Sequence, residues 1–342
     1  MEYLGTFPAG FTDLVKTLML RDTAAQEILF CDESVIAFRS AKSLSALPYL
    51  KQLYLLITWG KAENLASAYQ FILQISQDSF HERLDIQLKP RAQYDFVIRT
   101  FVEGKPAPIV HDLHVKLEQK LSLILKGRPN SERPELELQL HVRKNHQYYL
   151  ILQRSKRVDG WLPPGTLPPY LCRLILEVSE CQKDDIFLDP FMGSGAIPLE
   201  RARMGPYHFI FAGDIDEKKV DHLKTVLKQK EWEKRRKTIF PKVLDAANLA
   251  NFEKGFITRL VSDPPWGLYE DLGAAALQAL YINFLREAAR ILAKTGRMVL
   301  LVGATVPLPD LIKGSQLSLA ITDHFPVLVS GQKALVYVII PE

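Results

Sequence analysis

Apolar and polar positions repeat with two periods along this chain, and the order of the segments changes near residue 155. In the first part, Val110, Leu113, Leu117, Leu121 and Ile124 recur at helical spacing. Residues 134–142 (PELELQLHV) alternate instead, with Leu136, Leu138, Leu140 and Val142 on one face and Glu135, Glu137, Gln139 and His141 on the other. That is the pattern of a half-buried strand. Residues 146–153 follow after Lys144 and Asn145, and are predicted to pair with that strand as a hairpin. From residue 156 onward the order is strand, loop, helix, repeated, the signature of an α/β domain. Residues 185–189 (DIFLD) read as a short buried strand, followed by a helix over Ala196–Met204 in which Pro198 is tolerable in the first turn. The next strand spans 208–212, and a long helix is predicted over 217–237 with Val220, Leu223 and Leu227 inward. Short strands at 242–244, 260–262 and 296–303 follow, and 326–330 with 334–340 read as a closing hairpin around Gly331 and Gln332. Between the halves, residues 154–170 carry four prolines and two glycines, as a linker or an ordered connection would.

Composition narrows the class. With 342 residues, 47% apolar and 24% charged, the chain is ordinarily globular, which argues against disorder and fibrous repeats. Its length suits about two domains. No apolar run approaches the roughly 18 residues of a membrane span. The start MEYLGTFPAG lacks a basic, then apolar, secretory pattern. Three scattered cysteines, Cys31, Cys172 and Cys181, suit neither a disulfide framework nor a zinc cluster. The chain is therefore expected to be cytoplasmic, with no membrane partner. The net charge of +4 is spread unevenly. Residues 116–157 hold ten Lys and Arg against four Glu, and 217–237 hold nine against four acids. Such stretches suit a polyanion, although a solvated helix or hairpin face accounts for the same pattern.

Four short segments carry candidate chemistry. The first, 189–195 (DPFMGSG), follows a predicted strand; Gly193 and Gly195 let backbone approach a ligand at a helix start. A third glycine would fall at Pro198, so a dinucleotide fingerprint is incomplete. The second is Asp214 at the next strand end, where a carboxylate can accept both hydroxyls of a ribose. Asp216 is the backup, and a helix N-cap is the structural alternative. The third, Asp245 with Ala246, can hold an adenine edge or cap a turn. The fourth is 263–267 (DPPWG). Its prolines remove two N–H donors, so the Asp263 carboxylate and the Pro264 carbonyl can act as paired acceptors for an exocyclic NH2 on a planar base. Trp266 offers a flat face for the same base; the alternative is a rigid turn with a core tryptophan. His111 and His114 are spaced to share a metal, but nothing completes a site, so they read as surface or helix-edge histidines.

In this order and spacing, DPFMGSG, Asp214, Asp245 and DPPWG resemble the amino-methyltransferase motifs of S-adenosylmethionine-dependent enzymes. Residues 163–171 (PPGTLPPYL) resemble the short motif that precedes them and seats the methionine end of the cofactor. The first half is similar to a ferredoxin-like region followed by a THUMP domain, through its order of elements and 131–142 (SERPELELQLHV). The resemblance covers nearly the whole chain and is to THUMP-containing RNA methyltransferases that make N2-methylguanosine, chiefly in tRNA. Two positions depart from that family: Trp266 stands where Tyr is more frequent, and Met192 where Cys is common.

The resemblance implies a Rossmann-like class I methyltransferase domain with a mostly parallel seven-stranded sheet, preceded by an α+β ferredoxin-like and THUMP domain. The implied boundaries are 1–60, 61–153, a linker with the first cofactor motif at 154–170, and 171–342. It implies S-adenosylmethionine bound by Thr166, Leu167, Asp189, Pro190, Phe191, Gly193, Ser194 and Gly195, with Asp214 and Ile215 at the ribose, Asp245 and Ala246 at the adenine, and Asp263 alongside. Asp263, Pro264, Pro265 and Trp266 would form the catalytic turn, with the amine attacking the sulfonium methyl in line. An RNA partner, chiefly tRNA, and no metal are implied. Monomer or weak dimer stays open, as does adenine N6 in place of guanine N2, since the same paired acceptors serve both. The other class is an RNA-binding protein with an idle methyltransferase scaffold.

Overall fold

The computed structural model describes residues 1–22, 24–85, 93–154, 166–268 and 273–342. The chain divides into two compact units, Met1–Phe7 with Val15–Trp161, and Pro8–Leu14 with Leu162–Glu342. Much of the linker expected at 154–170 lies outside the described residues, including Pro163, Pro164 and Gly165 of the motif at 163–171. Among the described residues, no helix is long and apolar enough to cross a membrane.

The chain order through the first unit is β1 (Glu2–Thr6), α1 (Thr12–Arg21), β2 (Glu27–Cys31), β3 (Val35–Arg39), β4 (Gln52–Lys61), α2 (Leu65–Gln74), α3 (Gln77–Asp85), β5 (Phe96–Val102), β6 (Lys105–Pro106), α4 (His111–Leu125), β7 (Leu136–Val142) and β8 (Gln147–Arg154). The described strands form one eight-stranded sheet in the order β2-β3-β1-β4-β8-β7-β5-β6. The alternation in β7 buries Leu136, Leu138, Leu140 and Val142 against Leu117, Leu121 and Ile124 of α4 and Ala68, Tyr69 and Ile72 of α2. The hairpin of β7 and β8 is antiparallel, pairing Leu138 with Leu152 and Leu140 with Leu150. Asn64 opens α2 with a capping box, accepting from Ser67 N at 3.0 Å while Ser67 Oγ accepts from Asn64 N at 3.1 Å. The division expected at residue 60 falls inside β4, which joins β1 on one side to β8 on the other. His111 is exposed, but His114 is not the edge residue expected: it is buried, with Nδ1 2.7 Å from the Tyr69 hydroxyl and Nε2 3.3 Å from Glu118 Oε1. Its place on the helical stripe beside Leu117 and Leu121 puts it inside.

The second unit continues with α5 (Pro169–Val178), β9 (Ile186–Asp189), α6 (Ala196–Met204), β10 (Phe209–Asp214), α7 (Glu217–Val226), β11 (Ile239–Val243), β12 (Ile257–Ser262), α8 (Ala274–Ile291), β13 (Leu292–Gly303), α9 (Leu308–Gly314), β14 (Leu319–Val329) and β15 (Gln332–Pro341). The order β11-β10-β9-β12-β13-β15-β14 is parallel through β13 and antiparallel at β15 and β14. Parallel register sets Asp189 opposite Ala212, Asp214 opposite Val243, and Leu260 opposite Leu188. The carboxyl ends of β9, β10, β11 and β12 therefore share one rim, where ligands of open α/β sheets bind. At the opposite end of β9 the buried Arg201–Asp185 pair (3.3 Å) ties α6 to the sheet, and Thr258 of β12 donates to the same carboxylate.

Several elements differ from the sequence reading, among them β11, which starts at Ile239 and ends at Val243 where 242–244 was expected. The long helix expected over 217–237 ends at Val226; a short 3-10 turn, Lys230–Trp232, follows and sends Trp232 into the interior at 1% exposure. Burial of one large ring outweighs the continued helical propensity of a lysine-rich segment. Strand β13 begins before Gly296, and the closing hairpin is longer than expected on both sides, because β15 pairs along β13 as well as β14.

Candidate active site

Between β9 and α6 the chain makes two left-handed turns of backbone, Gly193 at φ 53° and Gly195 at φ 82°. A side chain at Gly195 would also strike Leu223 of α7 at 2.9 Å, whereas the space above Gly193 is open. Met192 N donates to Gly213 O at 2.8 Å, which holds the loop against β10. At the head of the loop, Asp189 is fully buried. Its Oδ1 accepts from Ser262 Oγ at 2.5 Å and from Phe191 N at 3.2 Å, while Oδ2 has no partner among the described residues. Burial pushes this carboxyl up to about 8, and the Asp263 and Asp214 charges push the same way against the pull of Ser262 and Phe191.

Asp214 ends β10 with its carboxylate turned toward that loop. Oδ2 accepts from Gly193 N at 3.0 Å, Oδ1 from Asp216 N at 3.0 Å, and Lys219 Nζ of α7 lies 3.3 Å away. Asp216, the backup candidate, is the N-cap of α7 and accepts from Lys218 N at 2.9 Å. Between the two acids, Ile215 is 73% exposed, and Val243 beside it at the end of β11 is also exposed. Asp245 is exposed, and its Oδ1 caps the following turn by accepting from Ala247 N at 2.9 Å; Ala246 is buried.

The turn after β12 brings Asp263, Pro264, Pro265 and Trp266 to the same rim. The Trp266 indole folds back so that Nε1 donates to Asp263 Oδ1 at 2.8 Å. A Cβ on Gly303 of β13 would sit 3.0 Å from this indole, so the glycine makes room for it. From α8 the Tyr281 hydroxyl donates to Pro265 O at 2.9 Å. In the segment just before α5, Leu167 is buried and Thr166 half-buried.

Sequence reasoning missed Ser262, Lys219, Val243 and Tyr281. Ser262 left a signal, a hydroxyl that follows the apolar pair Leu260 and Val261 directly before DPP. Tyr281 left none, since on an apolar helix stripe it looks like any core aromatic.

Residues 154–327, half of the chain, match the family described as UPF0020, RMKL-like, methyltransferase domain. Over 178 residues the chain is 30% identical to a tRNA (guanine(6)-N2)-methyltransferase of Thermus thermophilus, covering 50% of each protein. Over 152 residues it is 30% identical to a tRNA (guanine(10)-N2)-dimethyltransferase of Methanothermobacter thermautotrophicus, covering 44% of this chain and 42% of that protein. The chain thus spans about half the length of the curated relatives it matches. The crystal structure of TrmN from Thermus thermophilus superposes with a TM-score of 0.78 at 22% identity, covering all of both chains, a likeness of fold.

Proposed function

The chain belongs to the family of RMKL-like methyltransferase domains, and on that premise we propose that it is an S-adenosylmethionine-dependent RNA methyltransferase acting on guanine N2 in tRNA. The observation that carries this reading is the turn Asp263–Trp266, set on one rim with Asp189 and Asp214. The names of the curated relatives support the base and the RNA.

The residues suit the cofactor. A fully buried carboxylate with one oxygen unpartnered calls for a cationic donor, such as the α-amino group of a methionine moiety. Asp189 supplies it, with Pro190, Phe191, Gly193, Ser194 and Gly195 forming the loop and Thr166 and Leu167 contributing from the segment before α5. Asp214 receives the ribose hydroxyls, and exposed Ile215 and Val243 offer apolar cover to the adenine beside Asp245 and Ala246. When bound, the cofactor supplies an electrophilic methyl group.

The chain's own residues prepare the amine. The target base is unstacked into the site, at a cost of a few kcal/mol. The Asp263 carboxylate and the Pro264 carbonyl accept its two N–H bonds, localising the lone pair on nitrogen, and Asp263 receives the proton released. Trp266 holds Asp263 through its indole N–H, and Tyr281 holds the turn through Pro265 O. Most of the acceleration is positioning and electrostatics. The first unit carries the RNA, as its THUMP resemblance implies.

The test is methyl transfer from labelled S-adenosylmethionine to unmodified tRNA, with duplex DNA as control and nucleosides separated after digestion. Label in N2-methylguanosine is expected. Label in N6-methyladenosine would overturn the base, and cofactor binding without label on any RNA would overturn the activity.

A further inference from the structure

The basic stretch after α7 has no task in the site just described. Past Val226 the chain is irregular yet well anchored. Trp232 is buried with the Arg203 guanidinium 4.8 Å from its ring centroid, and Arg235 N and Arg236 N both donate to Trp232 O, at 2.9 and 2.8 Å. Thr238 Oγ1 donates to Arg235 O at 2.9 Å. This frame presents Lys228, Lys230, Lys234, Arg235, Arg236 and Lys237, all exposed. Among the described residues, none of the six has a carboxylate within 4.0 Å. The neighbouring acids are already engaged, Asp221 with Lys224 at 2.9 Å and Glu231 with Arg203 at 3.4 Å, which leaves Glu233. Six uncompensated cations on a fixed turn repel one another and add nothing to folding, so their arrangement suits an external polyanion.

Position identifies the polyanion. The turn precedes Ile239, the first residue of β11, so it lies at the amino ends of the parallel strands. Asp214, Asp245 and Asp263 lie at the carboxyl ends. The ten residues of α7 separate the two rims by about 15 Å. The phosphate backbone of a folded RNA extends over that distance and beyond, so one molecule can meet both rims. Resting on the reading that RNA is the substrate, we propose that residues 228–237 are a second RNA-backbone contact, on the rim opposite the catalytic turn, gripping a folded RNA whose target base enters at the other rim.

The variant Lys234→Ala/Arg235→Ala/Arg236→Ala removes three exposed cations and touches no residue of the site. Equilibrium binding of intact tRNA is measured across a salt series, together with steady-state methyl transfer and cofactor affinity. The expected result is Kd and KM for tRNA raised about tenfold, and a log Kd against log salt slope shallower by about 2–3, about one for each phosphate left without its cation. Cofactor affinity is unchanged and kcat stays within about twofold. Unaltered Kd and salt slope would overturn the proposal and leave the activity standing. A fall in kcat with unaltered KM would overturn it too, since docking alone does not act there. Wild-type protein that transfers no methyl group but binds tRNA in a way these cations strengthen would uphold the contact and sink the activity.

Discussion

Asp189 is a carboxylate kept away from water with one oxygen satisfied and the other left over. Its folded pKa, pushed to about 8, lies above the roughly 3.9 of an unfolded Asp. Its contribution to stability is therefore full below about pH 4 and is lost as pH rises through about 8. Asp189→Asn should raise the melting temperature of the ligand-free protein at pH 8, flatten its dependence between pH 4 and 8, and weaken S-adenosylhomocysteine binding. Thermal melts and calorimetric titration check this; an unchanged pH dependence would remove Asp189 from the role. In the turn proposed as catalytic, Asp263→Ala should lower kcat by about 10²–10³, as loss of one charge-stabilising partner does. Trp266→Phe keeps an aromatic face but deletes the N–H that Asp263 Oδ1 accepts. If the indole orients the carboxylate, kcat falls about tenfold, the worth of a hydrogen bond to a charged group. KM should change little. A rise in KM alone would instead return Trp266 to a purely stacking role.

At the level of elements, helices α2 and α4 are joined by side chains whose roles only their packing reveals. Lys120 of α4 donates to Leu73 O at 2.8 Å and to Ile75 O, closing the carboxyl end of α2. Tyr69 and His114 share a buried hydrogen bond between the same two helices. Tyr69→Phe leaves His114 Nδ1 unpaired in the core and should cost about 1–3 kcal/mol in urea denaturation. No loss would mean that the imidazole finds another partner. The same logic explains which elements were legible. The helix over Ala196–Met204 matched its expected limits because glycine and proline mark its start locally. The helix after Asp216 did not, because what ends it is the docking of Trp232, invisible in a run of lysines.

Across the whole molecule, one buried group in each unit is expected to couple stability to pH in opposite directions. In the first, burial and then Arg143 pull His141 down to about 4, between the rings of Phe101 and Tyr149. A lowered folded pKa gives stability that is present above about 6.5 and is lost as pH falls toward 4. Asp189 in the second unit works the other way. Between pH 7 and 5, His141→Gln should therefore remove part of the acid sensitivity of the first unit, while Asp189→Asn removes part of the alkaline sensitivity of the second. Domain-resolved hydrogen exchange separates the two; both substitutions acting on one unit would refute the assignment.

By itself, the amino-acid sequence determined the α/β class of the second half, the alternating strand at 134–142, and the positions of the candidate residues. Glycines, prolines and acids at strand ends impose backbone conformations on their own neighbours, and those demands are local enough to read. Tertiary structure alone decided that Ser262 bonds Asp189, that Trp266 turns its N–H onto Asp263, that His114 is internal, and that the cations of 228–237 lie at the amino ends of the parallel strands, opposite the rim of Asp214 and Asp263. Each depends on residues brought together from separate elements, where burial and hydrogen-bond satisfaction, rather than local preference, choose the partner.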